Sequence, residues 1–209
     1  MQDQQHIDSY DTLKKSCTAR IKEKGSTFIA LAVPVKSIED ADKQLEAWRK
    51  EYYDSTHIGW ARRLAPPPDG EERYDDDGEP HGSTGPPILN AIKGADLWGV
   101  LVGVVRYYGG TKLGVGGLIR AYGGTASMAL ENAIRKTIEI TSTIVVEISH
   151  ERAGAIYALA DRVGAELKAP EYAANGLVLN LVVLTSRADT VVDQIVEVTA
   201  GRAKVKVQS

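Results

Sequence analysis

The sequence is poor in cysteine, in net charge and in long apolar runs. Its single cysteine, Cys17, cannot form an internal disulfide or supply the several thiolates of a structural zinc site. The formal net charge is only -3, so the chain as a whole is no general polyanion binder. No apolar run is long enough to span a bilayer, and the polar N-terminus lacks the apolar core of a signal peptide. We expect a soluble cytoplasmic protein that contacts no membrane, in which any contact with nucleic acid comes from a local basic patch.

The first two thirds of the chain mix strand and helix patterns. A hairpin turn at 24–26 joins two predicted strands, and Ser37 is placed to cap the first predicted helix. A nearly continuous apolar run at 98–108 is typical of a strand buried on both faces. The predicted strands are 16–24, 27–35, 57–64 and 98–108, and the predicted helices are 38–52, 87–93 and one that ends near residue 136.

The last third follows a different order. Predicted strands at 144–149, 165–172, 177–185 and 203–207 alternate with helices at 152–163 and 190–199, and Asn175-Gly176 is a strong hairpin signal. This βαββαβ order is that of a ferredoxin-like domain. The sequence therefore predicts an α+β protein with two domains, residues 1–140 and 142–209.

Residues 106–124 are the most informative segment. Seven of the twenty glycines stand there, at positions 109, 110, 114, 116, 117, 123 and 124, and its three charges, Arg106, Lys112 and Arg120, are all positive. Glycine lets backbone N–H groups approach an anion closely, and a helix that begins after the loop adds partial positive charge. The spacing matches neither a Walker loop nor a dinucleotide fingerprint. Either the segment binds an anion, which the clustered cations favour, or its glycines serve tight strand–helix packing alone.

Aromatic side chains accompany these cations. Tyr108 follows Arg106, and the segment at 57–63 contributes His57, Trp60 and Arg63. Aromatic rings beside basic side chains are typical of proteins that grip single-stranded nucleic acid. The alternative is structural, with the rings in the core and the histidine hydrogen-bonded.

An acidic segment at 69–79 lies upstream. Asp76, Asp77 and Glu79 belong to it, and we place them at the rim of the basic site. Clustered carboxylates hold Mg²⁺ or Ca²⁺ in some proteins, but this spacing is not that of an EF-hand loop. An exposed loop and internal pairing with Arg63, Arg106 or Arg120 remain the alternatives, and we predict no metal ligand and no cofactor.

Three motifs resemble the signature of the IMPACT/YigZ family. They are Asp76-Asp-Gly-Glu-Pro80, Ser83-Thr-Gly-Pro-Pro-Ile-Leu89 and, above all, Arg106-Tyr-Tyr-Gly-Gly-Thr-Lys-Leu-Gly-Val-Gly-Gly-Leu-Ile-Arg-Ala-Tyr122. The resemblance implies an N-terminal ribosomal-protein-like βαβ domain, similar to domain IV of elongation factor G, followed by the ferredoxin-like domain of bacterial members. It also implies a cytosolic protein suspected of binding RNA or ribosomes, whose eukaryotic relatives regulate translation. It implies no known reaction.

These observations favour a non-enzymatic protein that binds RNA or the ribosome and acts in translation or its regulation. The residues predicted to bind the anion or nucleic acid are His57, Trp60, Arg63, Arg106, Tyr108, Gly109, Gly110, Lys112, Gly114, Gly116, Gly117 and Arg120. Two alternatives remain open: a Mg²⁺-dependent phosphate-ligand enzyme with a fold similar to the GHMP kinases, and a module that binds a protein partner of the translation machinery. No nucleophile set of serine or cysteine with histidine stands out, so we predict no catalytic residue.

Overall fold

The computed structural model describes residues 8–64, 70–173 and 176–208. The chain divides into two compact units. The N-terminal unit comprises Tyr10–Ile138, and the C-terminal unit comprises Glu139 onward together with residues that precede Tyr10. Both units mix helices and strands, which confirms the predicted α+β class. Within the described residues, no helix has the length and apolar character needed to cross a membrane.

The N-terminal unit is built on a five-stranded antiparallel sheet. Its strands follow the order β2-β3-β6-β4-β5, while β1 and β7 pair separately. The elements are β1 (Ser9–Leu13), β2 (Cys17–Glu23), β3 (Ser26–Pro34), α1 (Ile38–Glu51), β4 (His57–Leu64), β5 (Glu71–Asp75), α2 (Gly85–Gly94), β6 (Val100–Tyr107), α3 (Val115–Glu131) and β7 (Arg135–Glu139).

Local sequence explains most of these elements. Lys24 and Gly25 both have positive φ, 45° and 84°, as a tight hairpin turn requires, and β2 and β3 flank them as predicted. The Ser37 hydroxyl accepts the Asp40 N–H at 3.2 Å and caps α1. Strand β6 is buried at every position except its last residue, Tyr107, because helices cover both faces of the sheet.

The sheet separates two hydrophobic clusters. One face packs against α1, where Trp48 lies so close to β6 that a Cβ on Gly103 would stand 2.7 Å from its ring. The opposite face packs against α2 and α3, with Phe28, Ile88 and Tyr122 fully buried. Successive residues of a strand therefore lie in different clusters, and this alternation decides which side chains reach the candidate site.

The C-terminal unit has its own sheet and core. Its elements are β8 (Thr141–Ile148), α4 (Ala153–Val163), β9 (Glu166–Leu167), β10 (Glu171–Ala173), β11 (Gly176–Leu184), α5 (Ala188–Thr199) and β12 (Lys204–Gln208). The strand order is β10-β11-β8-β12, and β9 also pairs with β11. The predicted βαββαβ order is thus observed, except that the predicted strand at 165–172 consists of the two short strands β9 and β10.

Three features differ from the sequence-based predictions. Strand β1 was not predicted, and part of the acidic segment forms β5, which pairs with β4 and carries the partners of its arginines. Helix α3 ends at Glu131 rather than near 136, because residues 135–139 form β7 and pair with β1. Asn175 of the predicted hairpin lies outside the described residues.

Candidate functional site

The candidate site lies in the N-terminal unit, at the end of the sheet where β6 ends and the neighbouring strand β4 begins. The strand register pairs Arg106 with His57 on β4 and with Phe28 on β3. These three residues form one row across the face that α2 and α3 cover. Residues 108–114, which we call the glycine loop, lead from this end of the sheet into α3.

The start of the glycine loop is held against the β2–β3 turn. The Gly109 N–H donates to the Ser26 hydroxyl at 3.1 Å, and the Tyr108 N–H donates to the Thr56 hydroxyl at 3.0 Å. A Cβ on Gly109 would stand 1.9 Å from the backbone carbon of Gly25, which no side chain tolerates. Tight packing therefore explains Gly109 itself, as the structural alternative expected.

The rest of the glycine loop leads into an uncapped helix. Gly114, with φ 73°, precedes the first residue of α3, and the first turn of this helix contains no acidic residue. In the part of the chain that the structure describes, no side chain caps the helix. The first N–H groups of a helix have no acceptor within it, and the helix dipole gives that end partial positive charge. The predicted glycines of the site lie in the loop and in this first turn, at positions 109, 110, 114, 116 and 117.

Two of the three predicted cations are open to solvent. Lys112 and Arg120 are exposed, and neither forms an ion pair with any residue that the structure describes. Arg120 and Gly117 line a cavity of about 220 Å³ together with Lys24 and Glu23 of the β2–β3 turn. Lys24 was not among the residues predicted for the site, because it is the contact between Gly25 and Gly109 that brings this turn to the loop.

The third cation, Arg106, is buried and paired. Its Nη1 donates to Glu79 Oε1 at 2.5 Å, and the two side chains are only 7% and 5% exposed. The Tyr122 hydroxyl donates to the same carboxylate oxygen at 2.8 Å. Burial, and then the charge of Glu79, raise the pKa of Tyr122, so the phenol stays protonated and donates. The expectation that Arg106 reaches a phosphate and that Glu79 lies at an exposed rim needs correction, because each neutralises the other inside the fold.

Asp76 and Asp77 organise the backbone of the same loop. Asp76 accepts the N–H groups of Gly82, Thr84 and Gly85 at 2.8–3.0 Å, which caps the start of α2. Burial raises the pKa of Asp76, but the three N–H donors and the nearby His81 outweigh it and hold the pKa below its ordinary value. Among the described residues, no group of three or more His, Cys, Asp or Glu side chains is arranged to hold a metal ion.

His57 is fixed in one tautomer at the border of the site. Its Nδ1 lies 2.6 Å from the Asp77 carbonyl oxygen, which can only accept, so Nδ1 carries the proton. Asp77 Oδ2 also accepts the N–H of Ile58 at 2.7 Å. In the neutral ring Nε2 is therefore left as an acceptor, and the side chain is 25% exposed.

Of the other aromatic and basic residues predicted for the site, one lies there and two lie elsewhere in the N-terminal unit. Tyr108 stays at the site, 46% exposed, with the Arg106 guanidinium 5.3 Å from its ring centre. Trp60 is 8% exposed in the cluster under α1, on the opposite face of the sheet. Arg63 is paired with Glu72 and stacked on Trp98, six residues or about 20 Å along β4 from His57. The structure thus does not bring Trp60 or Arg63 to the glycine loop.

The chain is similar to several known proteins. Residues 24–130 match the model of the Impact N-terminal domain. The IMPACT family member in the pol 5′ region of Thermus thermophilus is 41% identical over 134 residues, which cover 64% of this chain and 71% of that protein. YigZ of Escherichia coli strain K12 is 39% identical over 111 residues, 51% of this chain and 53% of YigZ.

The structural comparison covers more of the chain. A crystal structure described only as that of a hypothetical protein has a TM-score of 0.69 and 25% identity, and the alignment covers 97% of this chain and 98% of that one. The sequence alignments, in contrast, leave part of each curated relative unmatched, and for YigZ this is close to half of its length.

Proposed function

The chain belongs to the IMPACT family, and on that premise we propose that it is a non-enzymatic protein that binds RNA or the ribosome and acts in translation or its regulation. The binding site proposed is the glycine loop with the first turn of α3. The observation that carries this proposal is the position of two exposed cations, Lys112 and Arg120, beside the N-terminus of α3, where no described residue pairs with either cation or caps the helix with its side chain.

Each part of this site suits a phosphate group. Free N–H groups at a helix start are donors, the helix dipole favours a negative charge there, and an arginine can hold two phosphate oxygens at once. Tyr108 presents an exposed ring for base stacking, and His57 Nε2 can accept a hydrogen bond from a base or sugar. Arg106 and Glu79 do not touch the ligand in this proposal but hold the loop in place from below.

The fold assignments of the two units belong to the same proposal. We assign the C-terminal unit a ferredoxin-like fold, supported by its βαββαβ order and by the strand order β12-β8-β11-β10. We assign the N-terminal unit a ribosomal-protein-like fold similar to domain IV of elongation factor G, and a cytoplasmic location. A magnesium-dependent enzyme is the weaker candidate, because Asp76 and Asp77 already accept backbone hydrogen bonds.

The test is sedimentation of a cell lysate through a sucrose gradient at low salt. The wild-type chain is compared with K112Q/R120Q, and a matched control, K43Q/K50Q, removes two exposed lysines from α1 of the same unit. Arg106 is left intact because its loss would strand the buried Glu79. We expect the wild type and the control to travel with ribosomes and K112Q/R120Q to stay at the top. A wild-type chain that stays at the top would overturn the proposal.

A further inference from the structure

The outer strand of the N-terminal sheet and the residues that flank it carry cations that the proposed function does not use. Residues 14–24 contain five basic residues and one acidic residue, Glu23. All five are exposed, and none forms an ion pair with a residue that the structure describes. We call this row the basic edge: Lys14, Lys15, Arg20, Lys22 and Lys24.

Arg20 and Lys22 of the basic edge lie on β2, whereas Lys14 and Lys15 precede this strand and Lys24 follows it. Among the residues that the structure describes, β2 pairs with β3 alone, so its other edge offers backbone N–H and C=O groups to a partner. Cys17, Ala19 and Ile21 pack against the core under α3, and the alternating Arg20 and Lys22 lie on the opposite, exposed face. Alternate residues of a strand are about 6.6 Å apart, which is the spacing of Arg20 and Lys22 along the edge.

Contact with the glycine loop distinguishes this row from an ordinary protected edge. Isolated lysines on edge strands commonly prevent aggregation. Here the turn at the end of β2 packs on the loop through Gly25 and Gly109, and Lys24 shares a cavity with Arg120. The basic edge therefore meets the glycine loop at Lys24, where Glu23 is the one acidic residue among those lining the shared cavity.

We propose that a single-stranded nucleic acid lies along the basic edge and continues into the glycine loop, so that β2 forms the longer part of the binding path. This inference rests on the proposed function and names its ligand class. The seven residues of β2 extend about 23 Å, which several nucleotides can follow. A line of cations contacts successive phosphates of a flexible strand without reading its sequence, and Tyr108 supplies a stacking platform where the path meets the loop.

The experiment is a fluorescence anisotropy titration of the full chain with a labelled oligouridine. A length of about twelve nucleotides falls within the site sizes of single-strand-binding proteins. Three double variants are compared with the wild type: R20Q/K22Q on the basic edge, K112Q/R120Q on the glycine loop, and K43Q/K50Q as the control with the same change in charge. Unfolding midpoints in urea verify that all three are folded. Each titration is repeated between about 50 and 200 mM salt.

If the path is correct, R20Q/K22Q reduces the slope of log affinity against log salt by about 1.4, since each lost contact to a single strand accounts for about 0.7. The same loss weakens binding by roughly ten- to a hundredfold at about 50 mM salt. The control keeps the wild-type slope. K112Q/R120Q loses a similar amount, because it removes two contacts at the other end of the path.

The outcomes separate the two proposals. If K112Q/R120Q weakens binding and R20Q/K22Q matches the control, the path along β2 is wrong and the proposed loop site stands. If the wild type does not bind oligouridine, the single-strand path is wrong, and the sedimentation experiment alone decides the proposed function. Tighter binding of a duplex of the same length, or displacement of oligouridine by an oligoglutamate peptide at lower concentration, would overturn the single-strand assignment.

Discussion

Two neighbouring regions of the N-terminal unit use charge in opposite ways. Around Glu79, Arg106 and Tyr122, every charge is buried and matched by a partner within 3 Å. Around Lys112 and Arg120, the charges are exposed and unmatched by any described residue. The two regions are joined by a few residues, since Arg106 is the next-to-last residue of β6 and the glycine loop follows Tyr107.

The difference separates charged residues that support the fold from charged residues that remain available to a ligand. Glu79 Oε1 already accepts hydrogen bonds from Arg106 and Tyr122, and breaking such a buried ion pair is costly. Exposed cations contribute little to stability but remain available to an anion. Substitutions in the buried region should therefore change unfolding, and substitutions in the exposed region should change only binding.

The largest expected effect is that of Glu79→Ala. It leaves the buried Arg106 without its counter-ion, and we expect a loss of about 3–5 kcal/mol in the free energy of unfolding. Urea denaturation measures this loss. Tyr122→Phe is the matched control, because it removes one hydrogen bond to the same carboxylate and should cost only about 1 kcal/mol. Equal losses for the two variants would show that the ion pair is not essential to the fold.

The next largest effect is expected from Gly109→Ala. The new Cβ would overlap the Gly25 backbone, so the loop must move away from the β2–β3 turn at a cost of about 1–3 kcal/mol. Gly124→Ala is the control within α3, where a Cβ meets nothing within 4 Å. It should stabilise the chain by up to about 1 kcal/mol, since alanine favours the helix. Thermal unfolding of both variants tests the contrast, and destabilisation by both would contradict it.

Asp76→Asn should have a smaller effect that depends on pH. The folded-state pKa of Asp76 is held below the ordinary aspartate value of about 3.9, so its ionised form stabilises the fold above that pH. At neutral pH we expect the variant to lose about 1–2 kcal/mol, as for other helix-capping residues. The difference between wild type and variant should shrink as the pH falls below about 4, through the folded pKa. Urea titrations between about pH 3 and 7 test this, and a constant difference would contradict it.

The smallest effect on stability is expected from K112Q/R120Q. Both side chains are exposed and form no ion pair with a described residue, so the free energy of unfolding should change by less than about 0.5 kcal/mol. The same variant should lose most of its binding to oligouridine, whereas Glu79→Ala is expected to lose stability. A strong destabilisation would mean that these cations support the fold rather than bind a ligand.

Local patterns predicted much of the secondary structure. Strand β4 has the predicted bounds, and α1 begins at the predicted residue with Ala41, Leu45 and Trp48 on its buried face. The family signature was also recognisable, and the match at 24–130 confirms it. Strand β5 was missed because its acidic residues are stabilised by Arg62 and Arg63 across the sheet rather than by a local propensity.

The sequence by itself determined the two sets of elements, the family and the segment in which cations gather. It did so because turns, caps and hydrophobic periodicity depend on residues close together in the chain. Only the tertiary structure decided which charges are paired. Arg106 meets Glu79 from 27 positions away, and Lys24 lines a cavity with Arg120 because two glycines let a turn pack on a loop. Such contacts depend on sheet register and close packing, which no local pattern specifies.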